Sequence, residues 1–362
     1  KGGDGAMAAV GALPRLLALA LAVASVAKAS EEDVMKEDVT MERNLQLDDP
    51  DELLRWYKAY SQRGSSRIVY NRMPKTGSGS MRYFLGADII QYEDPDETPS
   101  GLHFEHTPIE ANVPTPAGTQ VLLDWYRSRL DTGQGVTGEG HFSFIDLPLW
   151  GLPKAVWFTV MREPANRIVS HFYYMTQREK PRNATREECG APLQGDLFLR
   201  DCAKRWPCFH CTMGMSDIVR RYFISTNLED RDVTEHSRSS IAVASAILHE
   251  EYLTVLPLED IQHGWQLLEC LMPGTLFDGL AEKWAAAMVD KNVNRAKPPP
   301  DAGDVAVAAR IARLTGEQEL YHESLRKFCG LWRMAARHLH CPSMEGWEPP
   351  ERSCGVYEMR GV

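Results

Sequence analysis

Tyr70-Asn71-Arg72-Met73-Pro74-Lys75-Thr76-Gly77-Ser78-Gly79-Ser80 follows the short apolar, β-branched run Arg67-Ile68-Val69-Tyr70 and leads into a helical stretch from Met81 to Ile90. The pattern predicts a strand, a loop and a helix. A Gly/Ser turn in that position aims backbone N–H groups at an anion, with the positive end of the helix dipole behind them. A nucleotide-triphosphatase loop would read GxxxxGK[ST], with Lys after the glycines; here Lys75 precedes Gly77 and Gly79, and that order argues against an ATPase.

Downstream the same alternation recurs. Ala155–Met161 reads as a buried strand, followed by Arg162, Glu163 and Pro164 and an amphipathic helix through Met175, with Pro164 suited to its first turn. Tyr252–Leu256 reads as another strand, leading into a helix from Leu258 to Met272. The chain is expected to be extended around Lys297-Pro298-Pro299-Pro300, with closing helices at Val305–Leu314 and Glu317–His340. Strands alternating with helices imply an α/β fold, a largely parallel sheet flanked by helices.

The 362 residues are 43% hydrophobic and 25% charged, which excludes wholesale disorder, collagen and a polytopic membrane protein. The formal charge of −10 argues against a nucleic-acid-coating protein. That charge is uneven: Glu31 to Glu52 holds ten acids against Lys36 and Arg43, whereas Lys154 to Arg186 holds seven bases against two acids. The second stretch suits an anion. We expect an acidic stem at 31–64, a folded domain at 65–342 and a tail at 343–362.

Leu16–Ala27 is a twelve-residue apolar run broken by Ser25, preceded by Arg15 and ending in Ala27-Lys28-Ala29 before Ser30. Residues 1–30 therefore read as a cleaved signal or a single N-terminal membrane anchor; about 20 apolar residues are needed to span a bilayer, which favours the signal. Either sends the chain into the secretory pathway. Eight cysteines fit an oxidising lumen, and Cys189, Cys202, Cys208 and Cys211 fall within 23 residues. Cys208 and Cys211 have the gap of a zinc half-site, but no second half follows, so disulfides are expected. Asn183-Ala184-Thr185 is a glycosylation sequon in a polar run.

Two further segments carry chemistry. In Val160–Tyr174 an Arg at a strand end, Arg162, is followed eight residues later by Ser170; the two could belong to an ordinary strand and helix, but the spacing can bring guanidinium and hydroxyl to one phosphate. In Gly138-Glu139-Gly140-His141-Phe142-Ser143 a histidine stands in an apolar strand; such a residue is more often packed than catalytic, but its pKa near neutrality suits a base.

Together the three segments resemble the uronyl and heparan sulfate 2-O-sulfotransferases, from about Arg67 to Leu339. The loop is similar to the 5′-phosphosulfate loop of enzymes that use 3′-phosphoadenosine 5′-phosphosulfate (PAPS), and the Arg162/Ser170 block to their 3′-phosphate signature. The resemblance implies a P-loop-like sulfotransferase fold, PAPS as co-substrate, no metal, an acidic polysaccharide acceptor, a Golgi lumen location and a homotrimer. It assigns His141 as general base, Lys75 as stabiliser of leaving-group charge, Lys75, Thr76, Gly77, Ser78, Gly79 and Ser80 to the donor's 5′ end, Arg162 and Ser170 to its 3′-phosphate, and Arg72 to the acceptor. The family usually has Thr where Gly79 stands, and heparan members tend to have a second His where this chain has Glu139. The alternatives are another sugar hydroxyl or a tyrosine as acceptor, a nucleotide kinase, and a catalytically silent glycan-binding protein.

Overall fold

The computed structural model describes residues 47–62, 67–85, 104–108, 116–131, 136–177, 222–223, 238–290, 301–344 and 350–355. All belong to the second of two units, Gln46–Val362. The signal read at Leu16–Ala29, the cluster Cys189–Cys211, the sequon at Asn183 and the extended stretch at Lys297–Pro300 lie outside the described residues.

Five parallel strands form one sheet in the order β2-β3-β1-β4-β5, where β1 is Arg67–Asn71, β2 Glu105–His106, β3 Val136–Gly140, β4 Val156–Met161 and β5 Tyr252–Pro257. Among the described residues nine α-helices accompany the sheet: α1 Pro50–Ser61, α2 Ser78–Phe84, α3 Pro116–Asp131, α4 Pro164–Gln177, α5 Arg238–Glu251, α6 Ile261–Leu271, α7 Leu280–Asp290, α8 Ala302–Leu314 and α9 Glu317–His338. The α/β architecture expected from the alternating patterns is present. Every residue of β4 and β5 is buried, as a parallel sheet covered on both faces requires.

Side-chain alternation sorts the core into two layers. Val69 and Trp157 join Trp125 and Tyr126 of α3, Leu248 of α5 and Leu320 and Leu325 of α9 on one face. On the other, Tyr70 stacks on Phe158, and Phe158 meets Trp265 of α6, which with Trp284 of α7 encloses Phe84 of α2. Gly138 is required by the first layer, because a Cβ there would stand 2.2 Å from the Trp125 ring. Off the sheet, α4 and α8 pack through Ala165, Ile168, Val169 and Phe172 against Ala308, Ile311 and Ala312.

The helix at the end of the acidic stretch is fastened to the sheet. Asp49 caps it by accepting from Asp51 N at 2.9 Å, Pro50 occupies its first turn, and Leu53 is buried. Tyr60 OH donates to Glu251 O at 2.8 Å and accepts from Trp157 N at 3.1 Å. Although 31–64 reads as stem, the packed body thus reaches back to the buried Leu47. Likewise part of the expected tail is held: Cys354 is bonded to Cys329 of α9, and Ser353 donates to Asp260. A second disulfide joins Cys270 of α6 to Cys341. Closing loops of 25 and 71 residues, the two bonds stabilise the fold by roughly 3–4 kcal/mol each through the unfolded chain. Among the described residues no helix is long and apolar enough to cross a membrane.

One buried cation organises the end of α5. Lys327 Nζ donates to the carbonyls of Leu248 at 2.9 Å, His249 at 2.7 Å and Tyr252, and lies 4.2 Å from the centre of the Trp56 ring. It satisfies carbonyls that a helix end leaves without partners, where the helix dipole is negative. Lys327→Met is expected to lower stability by on the order of 3 kcal/mol, since each unmet buried acceptor costs about 1–3 kcal/mol; the readout is a lower urea midpoint at unchanged slope.

Beside it, burial holds His249 below the ordinary histidine value of 6.5, against the opposing effect of its hydrogen bond to Glu323 at 3.1 Å. The folded state therefore favours the neutral imidazole. Its contribution is full above 6.5 and is lost as the pH falls through the depressed folded value. Urea midpoints measured across that acid range should fall less steeply for His249→Gln than for the wild type.

Candidate active site

The three chemical segments leave the carboxyl ends of three adjacent strands. Asn71 of β1 is level with Gly140 of β3 on one side and Thr159 of β4 on the other. Neighbouring strands lie about 4.8 Å apart, so His141 and Arg162 depart about 10 Å apart on either side of the Lys75 loop. Such a crevice at the carboxyl ends, where the connection from β1 runs to the β2 side and that from β4 to the β5 side, is where open α/β sheets bind ligands. Polar cross-links hold the rim level: Asn71 Nδ2 donates to Tyr252 OH at 2.8 Å, and Thr159 Oγ1 donates to Asn71 O at 2.6 Å.

In the loop, Lys75 has φ 65°, alone among non-glycine residues described, and Gly77 has φ 75°. Left-handed residues on either side of Thr76 turn successive N–H groups toward one concavity, the geometry of an anion nest. Lys75 is half-buried. Thr76 is fully buried, and its hydroxyl donates to Met73 O at 2.9 Å, so it closes the loop on itself and its side chain does not face an anion as a donor. Ser78 and Gly79 lie in the first turn of α2, and Ser80 is exposed. Leu258, just after β5, supports the turn from below: a Cβ on Gly77 would meet its Cδ1 at 2.6 Å.

At β4, Arg162 is half-buried and burial lowers its pKa, opposed by the charges of Glu259 and Glu163. Glu163 caps α4, accepting from Ala165 N at 3.2 Å and Asn166 N at 2.8 Å. Glu259 anchors the same turn, accepting from Glu163 N at 3.0 Å and from Tyr321 OH at 3.2 Å. Two turns along α4, Ser170 is half-buried. Arg167 between them is buried and pairs through both Nε and Nη2 with Glu317 of α9, fixing the helix that carries Ser170. The anchoring roles of Glu259 and Glu317 are invisible in sequence, because their partners lie 62 to 150 residues away.

At β3, His141 is half-buried and its Nδ1 bonds the Arg72 carbonyl. A carbonyl only accepts, so Nδ1 carries the proton and the neutral ring keeps its lone pair on Nε2. Arg72 departs from the expectation that it faces an acceptor: it is 5% exposed and its Nε lies 3.1 Å from Glu139 Oε2. Burial lowers its pKa, and the neighbouring Arg82 adds to the lowering while Glu139 opposes it. Glu139 has no exposed surface and also meets His106 Nδ1 at 2.7 Å and Arg82 Nε at 3.5 Å.

Gly77→Ala tests the nest. It places an L-residue at positive φ, at about 1–2 kcal/mol, and drives a methyl into Leu258. Affinity for 3′-phosphoadenosine 5′-phosphate should fall about tenfold or more by calorimetry, as expected for 1.4 kcal/mol.

No family model matches the chain. Three curated proteins do, over most of their length. Heparan sulfate 2-O-sulfotransferase hst-2 of Caenorhabditis elegans is 26% identical over 275 residues, covering 71% of this chain and 76% of its own. Heparin sulfate O-sulfotransferase of Drosophila melanogaster is 26% identical, covering 72% and 71%, and heparan sulfate 2-O-sulfotransferase 1 of Xenopus laevis is 24% identical, covering 72% and 70%. With the parallel sheet and the three segments gathered at one rim, these similarities over about 70% of the chain support kinship with the heparan sulfate 2-O-sulfotransferases.

Proposed function

We propose that this chain transfers the sulfuryl group of PAPS to the 2-hydroxyl of a uronic acid in a glycosaminoglycan-like polysaccharide, within the secretory pathway. The observation that carries the reading is the convergence of the Lys75 loop, Arg162 and His141 on adjacent strand ends, with the tautomer of His141 set by the Arg72 carbonyl. The relatives' names supply the acceptor class.

The residues fit the donor. A loop with positive φ at both Lys75 and Gly77 suits the 5′-phosphosulfate, and Arg162 with Ser170 suits the 3′-phosphate. His141 takes the acceptor proton on Nε2 as the hydroxyl oxygen bonds to sulfur. The bond from sulfur to the bridging oxygen breaks in line, leaving a sulfate ester and 3′-phosphoadenosine 5′-phosphate. Lys75 offsets the negative charge that develops on that oxygen.

Labelled PAPS offered with desulfated heparan, chondroitin and dermatan tests this, and label should pass to polymer. Binding of polymer without consumption of PAPS would favour a silent glycan-binding protein. His141→Ala should lower turnover about a hundredfold or more with little change in donor affinity, since general-base contributions are of that order and act in the transition state. Lys75→Ala should lower turnover and also weaken the donor, because an ammonium beside the phosphosulfate contacts the ground state too.

A further inference from the structure

Arg72 is clamped to β3 through three consecutive residues. Its guanidinium pairs with Glu139, its N–H donates to Gly140 O at 2.8 Å, and its carbonyl accepts from His141 Nδ1. The middle contact is main chain and independent of residue type. The last sets which nitrogen of His141 is protonated. The first is the one that a side chain decides, and it sits where nothing but another charge can satisfy it: Arg72 is 5% exposed and Glu139 has no exposed surface.

We propose that Glu139 is a positioning residue for His141, its buried carboxylate holding Arg72 so that the Arg72 carbonyl meets the imidazole Nδ1. This rests on the reading of His141 as the base. Glu139 cannot be that base itself, being enclosed by Arg72, Arg82 and His106. Its second oxygen is turned to Arg82 and His106, so the carboxylate also separates two guanidiniums that would otherwise repel across the rim. Removing the charge leaves Arg72 buried without its counter-ion. The side chain then swings toward solvent, turning the Arg72 peptide that its backbone shares and withdrawing the carbonyl from His141.

The test is the tautomer of His141 in the full chain labelled with 15N-histidine, read from two-bond ring correlations at about pH 8, where an ordinary imidazole is neutral. His141→Gln assigns the resonance. Wild type should show Nδ1 protonated and Nε2 bare. Glu139→Gln should show a mixture of tautomers at His141, a turnover lowered at least tenfold, and an affinity for 3′-phosphoadenosine 5′-phosphate within twofold of wild type. Glu139→Asp keeps the buried charge, and so the fold, while drawing the carboxylate back by one methylene; it should move the same resonances by a smaller amount. The proposal is overturned if wild-type His141 carries its proton on Nε2, or if the variants leave the His141 resonances unchanged, whether or not turnover falls. Because the tautomer is read without turnover, a chain that transfers no sulfuryl group would refute the proposed function and leave this result standing on its own.

Discussion

Parallel hydrogen bonding of β1 between β3 and β4 makes three separate chain segments emerge side by side at one rim. Antiparallel pairing would send alternate connections to opposite ends of the sheet. Here every strand ends at the same edge, so the Lys75 loop, His141 and Arg162 can converge although they are far apart in the chain. Twist and burial hold that edge rigid: both faces of the sheet are covered, and Asn71, Thr159 and Tyr252 lace β1, β4 and β5 together just beneath it.

Charge at this rim is managed by burial in pairs. In this chain of net charge −10, acids stand behind or beside the basic groups: Glu139 behind Arg72, Glu317 behind Arg167, Glu259 beside Arg162. Isolated buried charges of this kind would be costly, and pairing does more to fix geometry than to add stability. Two of the pairs tie a loop or helix of the site to a distant part of the chain. The half-buried Lys75 is held at positive φ beside them, a backbone conformation that the surrounding loop must impose.

Much of the sheet was legible because its signals are local. Arg67–Tyr70, Ala155–Met161 and Tyr252–Leu256 are short apolar runs between turn residues, and each is a strand within one residue of that reading. Pro164 begins α4 as its fixed φ allows. What the sequence hid are contacts over long separations. Arg72 is one case: the buried carboxylate that pairs with it, Glu139, comes from the neighbouring strand 67 residues on. The stretch at 31–64 reads as stem from its acidity, but Leu53 and Tyr60 on one face of α1 are enough to dock that helix. The two disulfides illustrate the same limit: an even cysteine count foretells bonds but not partners.

The central claim is that the ends of β1 and β4 form one site for a ligand carrying phosphate at both its 5′ and 3′ positions. Calorimetry of 3′-phosphoadenosine 5′-phosphate against AMP, on the wild type and on Arg162→Ala, tests it most directly. The account predicts that the bisphosphate binds far more tightly than AMP and that Arg162→Ala removes most of the difference, because a charge-assisted contact to one phosphate is lost. Equal affinities in the wild type would contradict it.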